Sequence, residues 1–265
     1  MTVKFEKYQG TGNDFIMIDN RIYDIRKNQT ALIRRLCDRK FGIGADGLIL
    51  LQEKTAYHFE MVYFNSDGNE STMCGNGGRC LIKFAHNLGL MESKCSFLAI
   101  DGDHEGEILS DGRISLKMKD VDAIENYNGA YILNTGSPHY VSFVDSVETM
   151  RVADEGRKIR YSEKFTREGI NVNFVEKKGE REIYVRTYER GVEDETLSCG
   201  TGVVASALAL AHKSKVSDVE KTSDTIYVEV PGGKLEVKFE AVGKGFKNIY
   251  LIGPAEEVFV GEVEI

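Results

Sequence analysis

The sequence lacks a basic excess, and it lacks any apolar run long enough to cross a membrane. Its formal net charge is -8 and its isoelectric point is near 5.3. Because nucleic-acid binding needs a basic face, we expect no nucleic-acid partner, and without a membrane-length apolar run we expect no membrane partner. The segment Met1–Gly10 has no basic stretch followed by an apolar one, so we expect no signal peptide and a cytoplasmic protein.

Cysteine is also scarce, with 5 residues in the chain. No two of them have a C-x-x-C spacing and none forms a Cys/His cluster of the structural-zinc type, so we expect no metal site. An odd count without a secretion signal indicates reduced thiols rather than a disulfide framework. Cys37, Cys80 and Cys95 lie in or beside apolar segments, and we predict that they are buried, inert core residues.

Short runs of alternating apolar and polar residues, often bounded by glycine turns, predict a strand-rich chain. Apolar residues make up 42% of the sequence, enough for a core. Turns of the Asp-Gly and Pro-Gly-Gly type are predicted at Asp101–Gly102, Asp111–Gly112 and Pro231–Gly233. Helical periodicity is confined to Gln29–Lys40, Gly77–Leu88 and Gly202–Lys213. An α+β fold is therefore favoured over an alternating βαβ one.

One local pattern occurs twice. Asn69–Gly77 reads NESTMCGNG and Asp194–Gly202 reads DETLSCGTG, each with an acidic residue before Cys-Gly-x-Gly and a helical run after it. Strands precede and follow both copies, which argues against chance similarity between two glycine-rich turns. We therefore predict two similar domains, 1–118 carrying Cys74 and 119–265 carrying Cys199. Each is expected to be a mixed sheet wrapped on a central helix, with the active site in a cleft between them and the last strand free to pack back on the first domain.

A cysteine just before Gly-x-Gly at a helix start has a special electrostatic position. The first helical N–H groups have no partner in the helix, and the macrodipole places partial positive charge there. This stabilises a thiolate or binds a carboxylate, and glycine allows the backbone to approach a ligand closely. Two such units facing one molecule would supply a base on one face of a carbon and an acid on the other, as inversion next to a carboxylate requires. The chemistry needs no cofactor if water is excluded.

Several motifs stand in one order along most of the chain: Gly10–Phe15 (GTGNDF), Asn65–Cys80 (NSDGNESTMCGNGGRC), Thr135–Tyr140 (TGSPHY), Tyr188–Gly202 (YERGVEDETLSCGTG) and the turn Pro231–Gly233. Together they resemble the motifs of the diaminopimelate epimerase family. Cys-Gly-x-Gly alone is a weak pattern. Several such motifs in one order are specific.

The resemblance implies a role for each matching residue. Cys74 and Cys199 would be the acid/base pair, with His139 near Cys74 and Glu189 near Cys199 to set their protonation. The amides of Gly75, Asn76, Gly200 and Thr201 would hold the reacting carboxylate. The amino groups of the substrate and its second carboxylate, distal to the reacting carbon, would be bound by Asn13, Asn65, Asn171 and Arg190.

Alternatives stay open at several of these positions. His139 could only hydrogen-bond at a strand start, Glu189 and Arg190 could be a solvated pair, and Asn13, Asn65 and Asn76 could be turn residues. Asn173 lies on the same strand face as Asn171, and either could be the ligand. The chain also departs from many family members at Ser137, at Gly47 and in the loop between Arg190 and Cys199, which is one residue longer and has an extra acidic residue among Glu193–Glu195. The contacts to the distal end of the substrate are therefore left open.

The function expected from the resemblance is the cofactor-independent epimerisation of LL-2,6-diaminopimelate to the meso form, in lysine and peptidoglycan precursor biosynthesis. A proline or hydroxyproline racemase-like enzyme is the nearest alternative, but such enzymes typically have His after the first Cys-Gly, where this chain has Asn76. Phenazine-type isomerases usually lack the cysteine pair, and a non-catalytic thiol binding module is a further alternative. The partner is then a small amino acid, and assembly is left open, with a homodimer as one option.

Overall fold

A computed structural model describes residues 1–214 and 222–265, and the chain divides into two compact units. The first unit comprises Met1–Leu116 together with Gly253–Ile265, and the second comprises Lys117–Ile252. The first unit is therefore discontinuous in sequence, because it includes the C-terminal segment Gly253–Ile265. The last strand pairs along its length with the first, so it completes the first unit.

The first unit holds two helices and nine strands among its described residues. Its helices are α1 (Thr30–Cys37) and α2 (Gly75–Asn87). Its strands are β1 (Thr2–Gly10), β2 (Asn13–Asp19), β3 (Gly47–Gln52), β4 (Phe59–Asn65), β5 (Glu70–Ser71), β6 (Lys94–Ala99), β7 (Gly102–Ile108), β8 (Ile114–Lys117, whose last residue is counted with the second unit) and β18 (Glu256–Glu264).

The sheet of the first unit is mixed. β2 and β3 are parallel and α1 connects them, while β4 and β6 are parallel and α2 lies in their connection. The other neighbours, including β1 with β2 and β6 with β7, are antiparallel. Parallel neighbours need a crossover, and a helix is the usual one. The second crossover therefore places the start of α2, immediately after Cys74, at the end of the β4–β5 hairpin.

The second unit repeats this plan. Its helices are α3 (Val152–Arg160) and α4 (Gly200–Lys213). Its strands are β9 (Glu125–Tyr127), β10 (Ala130–Asn134), β11 (Pro138–Val144), β12 (Asn171–Lys177), β13 (Glu182–Glu189), β14 (Asp194–Thr196), β15 (Thr222–Val230), β16 (Gly233–Val242) and β17 (Gly245–Gly253).

The pairing of strands in the second unit matches the first strand by strand. β11 and β12 are parallel with α3 between them, and β13 and β15 are parallel with α4 between them. The elements β2 to β8 thus correspond in order to β11 to β17. The prediction of two similar α+β domains built on mixed sheets is confirmed.

The helix α4 is buried nearly all round, which suits a helix enclosed by a sheet rather than one lying on a surface. Val203, Val204, Ala207 and Leu208 have no or almost no exposed surface. The predicted turns are also found, since β6–β7, β7–β8 and β15–β16 form antiparallel hairpins joined at these positions. No helix among the described residues is both long and apolar enough to span a membrane.

The helix α3 was not predicted from the sequence. Its apolar stripe is short and weak, because Val152 and Gly156 are its only buried residues and Ile159 packs partly buried on the same face. Its signal lies in charge instead, because acidic residues occupy its first turn and basic residues its last, as the helix dipole favours. A Cβ on Gly156 would be 2.3 Å from Cβ of Tyr188, so the glycine lets this helix pack directly on β13.

None of the five cysteines, all of which lie among the described residues, forms a disulfide. The prediction that Cys37, Cys80 and Cys95 are buried core residues is confirmed. Burial raises the pKa of each of these three thiols to about 12, so all three stay protonated and unreactive at neutral pH.

Candidate active site

Cys74 and Cys199 occupy the same position in the two units, the N-cap of the helix that follows β5 or β14. Both have extended backbone, with φ of -90° and -117°. Each carbonyl accepts the first helical hydrogen bond, from Gly78 at 2.7 Å and from Val203 at 2.9 Å. Neither helix has an acidic residue in its first turn, so the amides there keep their positive potential. Two separate thiols therefore lie at electropositive helix starts.

Asn13, at the start of β2, lies against the Cys74 thiol. Cys74 Sγ is 3.6 Å from Asn13 Oδ1. The Asn13 side-chain nitrogen donates to Asp46 Oδ2 at 2.6 Å, which turns Oδ1 toward the cysteine. Asn76 also donates to Asn13 Oδ1, at 3.3 Å, and is fully buried. Three of the predicted site residues, Asn13, Cys74 and Asn76, are thus together in the first unit.

A network of ion pairs includes Asp46, the residue that binds the Asn13 side chain. Asp14 pairs with Lys7 at 2.7 Å and with Arg39 at 2.6 Å, and Arg39 also pairs with Asp46 at 2.7 Å. Burial raises the pKa of Asp14, but hydrogen bonds from Arg39 and Lys7 outweigh it and lower the pKa to about 2. Asp14 is therefore ionised at neutral pH and helps fix Arg39, and through it Asp46.

Arg79 is fully buried inside the first unit. Its nitrogens lie 3.1 Å from Asn76 Oδ1, 3.3 Å from Thr11 Oγ1, 3.3 Å from the Pro254 carbonyl and 3.4 Å from the Gly75 carbonyl. None of these acceptors is charged, and within residues 1–214 and 222–265 Arg79 forms no ion pair. Burial lowers the pKa of Arg79. The guanidinium ties the Cys74 loop to the segment that leads into β18.

In the second unit, Cys199 is 8% exposed and Thr201 is its side-chain neighbour. Cys199 Sγ is 3.6 Å from Thr201 Oγ1, and that hydroxyl is 2.9 Å from Nε2 of His139. The other ring nitrogen of His139 is 3.1 Å from Nδ2 of Asn173. Burial, reinforced by the Arg190 guanidinium, lowers the pKa of His139 to about 3. The imidazole is therefore neutral at neutral pH.

Asn171 and Arg190 lie together beside Ser137. The Asn171 side-chain nitrogen donates to Ser137 Oγ at 2.9 Å and to the Pro138 carbonyl at 3.1 Å, while its oxygen accepts the Arg190 backbone N–H at 2.8 Å. Arg190 is exposed, and its guanidinium donates to Ser137 Oγ at 3.3 Å and to the Glu168 carbonyl at 3.0 Å. Both hydrogens of the buried Asn171 amide are thus used inside the protein, whereas Arg190 faces solvent.

The remaining predicted residues lie at strand ends. Glu189, the last residue of β13, accepts a hydrogen bond from Thr196 Oγ1 at 2.9 Å. Asn65, the last residue of β4, is exposed. Gly75 and Gly200 are buried and begin the two helices. The predicted proximity of His139 to Cys74 and of Glu189 to Cys199 stays a prediction, as do the roles of all these residues.

Sequence reasoning missed three residues that contact the predicted ones. Asp46 orients Asn13, Asn173 contacts His139, and Thr135 donates to the Thr201 carbonyl at 2.8 Å. The sequence indicates Asn173 only as an alternative ligand to Asn171. Thr135 belongs to the TGSPHY motif, which is a signal for its position near the site, whereas Asp46 belongs to no motif.

The arrangement suits acid/base chemistry at a carboxylate. Each unit combines a thiol with backbone amides whose N–H groups have no helical acceptor, a combination that binds an anion and supports a thiolate. Among the described residues no group of three or more His, Cys, Asp or Glu side chains is placed to hold a metal ion.

Solved structures with the same fold include a Bacillus anthracis phenazine biosynthesis protein of the PhzF family, with a TM-score of 0.77, 14% identity and full coverage of both chains. A hydroxyproline epimerase from Agrobacterium vitis has a TM-score of 0.71 and 12% identity, over 99% of this chain and 92% of that one. These likenesses show the fold alone.

Sequence comparison is more specific. The family model described as diaminopimelate epimerase matches residues 5–124 and 131–258. Diaminopimelate epimerase of Flavobacterium psychrophilum is 53% identical over 257 residues, which cover 97% of this chain and 98% of that protein. The enzyme of the same name from Chlorobaculum tepidum is 40% identical over 266 residues, covering 97% and 99%. With these matches over nearly its whole length, the chain belongs to the diaminopimelate epimerase family, and it is an isomerase of the epimerase type.

Proposed function

We propose that the protein converts LL-2,6-diaminopimelate to the meso isomer by a two-base mechanism in which Cys74 and Cys199 are the acid/base pair. No organic cofactor takes part in this scheme. The relatives that match nearly end to end carry this substrate in their names, and the proposal extends it to this chain. The reaction would serve lysine and peptidoglycan precursor biosynthesis in the cytoplasm.

One observation carries the proposal: a cysteine is the N-cap of the central helix in both copies of the repeated unit. A single thiol at a helix start could be accidental, or it could serve redox chemistry. Two at the same place in a duplicated fold supply the paired groups that inversion of a carbon requires. The other three cysteines are buried and protonated, so they offer no competing thiolate.

In the proposed reaction one cysteine enters as thiolate and the other as thiol. The thiolate removes the α-proton and becomes a thiol, and the electron pair left on carbon delocalises into the carboxylate. Helix-start amides of Gly75 and Asn76, or of Gly200 and Thr201, stabilise the charge that develops there. The second cysteine then donates its proton to the opposite face and becomes the thiolate.

The distal end of the substrate is assigned to Arg190, Asn13, Asn65 and Asn171. Arg190 supports this assignment best, because its guanidinium is exposed and a planar fork matches a carboxylate. Asn171 fits a supporting role, since both of its amide hydrogens already bind Ser137 and Pro138 and its oxygen holds the Arg190 backbone.

Incubation of the reduced protein with LL-diaminopimelate in deuterated water tests the proposal. We expect meso product carrying one α-deuterium, while the early residual substrate stays protiated, because a two-base mechanism delivers a solvent-derived proton from the second base. If diaminopimelate is inert but proline or 4-hydroxyproline exchanges its α-hydrogen, the proposed substrate is wrong and the two-base mechanism stands. Inertness toward all three would overturn the proposed activity.

A further inference from the structure

The two repeats differ in what lies beneath their helix starts. In the first unit a Cβ on Gly77, three residues after Cys74, would be 3.0 Å from Ile49 and 3.3 Å from Phe15. In the second unit a Cβ on Gly202, three residues after Cys199, would be 2.3 Å from Asn173 Oδ1.

Strand register confirms that these positions correspond. Phe15 pairs with Gly47 between β2 and β3, and Ile49 lies two residues further along β3. His139 pairs with Asn171 between β11 and β12, and Asn173 lies two residues further along β12. A buried polar pair, His139 and Asn173, therefore takes the place of an apolar pair, Phe15 and Ile49. An apolar pair could fill the same space, and burial of polar groups costs free energy, so the presence of the polar pair indicates a specific role.

The hydrogen bonds of Asn173 determine the tautomer of His139. Asn173 Nδ2 is 3.1 Å from the carbonyl of Tyr140, which can only accept, and its Oδ1 accepts from Thr187 Oγ1 at 3.0 Å. The amide orientation is thus fixed from both ends, and the second hydrogen on Nδ2 points at Nδ1 of His139. Nδ1 of the neutral ring is then the acceptor, so the proton is assigned to Nε2.

This tautomer sets the direction of the next hydrogen bond. His139 Nε2–H donates to Thr201 Oγ1, which leaves the hydroxyl hydrogen free to point elsewhere. The other side-chain contact of that hydroxyl among the described residues is Cys199 Sγ at 3.6 Å. The relay from Asn173 through His139 and Thr201 therefore ends in a donor on the Cys199 sulfur. A hydrogen bond donated to sulfur favours the thiolate.

At Cys74 the direction is reversed. Asn13 Oδ1 is an amide oxygen and can only accept, and its orientation is fixed because Nδ2 donates to the Asp46 carboxylate. Cys74 can satisfy this contact only as S–H. The buried Arg79 opposes this effect by attracting a Cys74 thiolate, but its hydrogen bonds go to Asn76 Oδ1, Thr11 Oγ1 and the carbonyls of Gly75 and Pro254. We take the direct contact with the amide oxygen to outweigh the attraction of this buried cation.

We propose that the two cysteines differ in protonation in the resting protein, with Cys199 as the thiolate and Cys74 as the thiol, and that Asn173 is the positioning residue that sets this difference. The role given to the pair rests on the proposed function, whereas the protonation assignment rests on the contacts alone. The isomer whose α-hydrogen faces Cys199 would then react directly with the resting protein. After one turnover Cys199 holds the proton and Cys74 is the thiolate, so proton exchange must restore the resting state.

Far-ultraviolet thiolate absorbance of the reduced, substrate-free protein at neutral pH tests this assignment. We expect Cys199→Ser to lose most of the signal and Cys74→Ser to keep it. Thr201→Val should lose most of the thiolate absorbance because no hydroxyl hydrogen reaches the sulfur, whereas Thr201→Ser, which keeps the hydroxyl, should retain the absorbance. Asn173→Leu, which frees the His139 ring, should weaken it. The exposed Thr166→Val is the matched control and should leave it unchanged.

Loss of the signal in Cys74→Ser with retention in Cys199→Ser would overturn the assignment, as would a wild-type protein without thiolate absorbance. Circular dichroism identifies any variant that fails to fold, and the conservative Thr201→Ser keeps the test decisive in that case. Failure of the proposed function is a separate outcome. It appears as wild-type protein without turnover of any amino acid, and the absorbance still decides which sulfur is ionised.

Discussion

The side-chain oxygen of Asn173 lies so close to Gly202 that a Cβ on the glycine would be 2.3 Å from it. A side-chain amide without hydrogen bonds could move aside at little cost. The Asn173 amide cannot, because hydrogen bonds to Tyr140, Thr187 and His139 fix it. A glycine at this position of α4 is therefore required by the residue beneath it.

We expect Gly202→Ala to displace Asn173 and to lower both stability and turnover. Overpacking of this kind costs about 1–3 kcal/mol. The matched control is Gly77→Ala in the other repeat, where the nearest atom is the terminal methyl carbon of Ile49 at 3.0 Å and can yield. Chemical denaturation and steady-state kinetics of both variants check the prediction. Equal losses in the two variants would contradict it.

Cys74→Ser and Cys199→Ser should each lose most epimerisation, because an alcohol is a far weaker base than a thiolate. Loss of one acid/base group costs about 10²–10⁴-fold in rate. Stereochemical analysis of the product measures the effect. Cys95→Ala is the control, since this buried thiol lies on β6 and should affect stability but not turnover. Near-full activity in either serine variant would contradict the two-base scheme.

The buried His139 makes stability depend on pH. Its pKa is lowered by burial to about 3 from an ordinary value of 6.5, so between these limits the unfolded chain binds a proton that the folded protein does not. Stability must therefore fall as the pH drops below 6.5, by about 1.4 kcal/mol per pH unit from this group.

Replacement of His139 by a residue that does not titrate should remove its contribution to the pH dependence of stability. We expect the free energy of unfolding of His139→Gln to depend less steeply on pH than that of the wild type between pH 6.5 and 3, by one proton. Urea titrations at several pH values measure the difference. Parallel curves for the two proteins would show that His139 is not the group responsible.

Asp46 should matter to Cys74 without touching it. Its carboxylate holds the Asn13 amide nitrogen at 2.6 Å, so Asp46→Ala would allow the amide to rotate away from Cys74. We expect a loss of about tenfold or more in turnover, since small misplacements near reacting groups are costly. Asp24→Ala, which removes an exposed acid paired with Arg26, is the control. Unchanged kinetics in Asp46→Ala would mean that other contacts are enough to orient Asn13.

The sequence predicted the fold where an apolar pattern accompanied the motifs. The helices α2 and α4 were expected because apolar residues follow each Cys-Gly-x-Gly, and they begin two residues earlier than predicted because glycines occupy their first turns. The helix α3 was missed because it buries only Val152 and Gly156.

The sequence predicted the site residues only in part, because it does not show the orientation of single atoms. Motifs indicated Cys74, Cys199 and His139, but they could not indicate which way the hydrogen bonds run. That direction depends on the register of β11 with β12, which brings Asn173 against His139, and on the carbonyl of Tyr140, which orients the amide. Neither is visible in the residue types alone. Asp46 was missed for the same reason, since its role depends on a turn that brings it to Asn13.

The pairing of β18 with β1 has a consequence for biosynthesis. The second unit is one continuous segment, Lys117–Ile252, whereas the first needs Gly253–Ile265 to complete its sheet. During translation the ribosome therefore releases every strand of the second unit before β18 emerges. β1 keeps one edge unpaired until then, and the first unit to begin synthesis is the last to be finished. A chaperone that covers exposed strand edges would have its longest opportunity at β1.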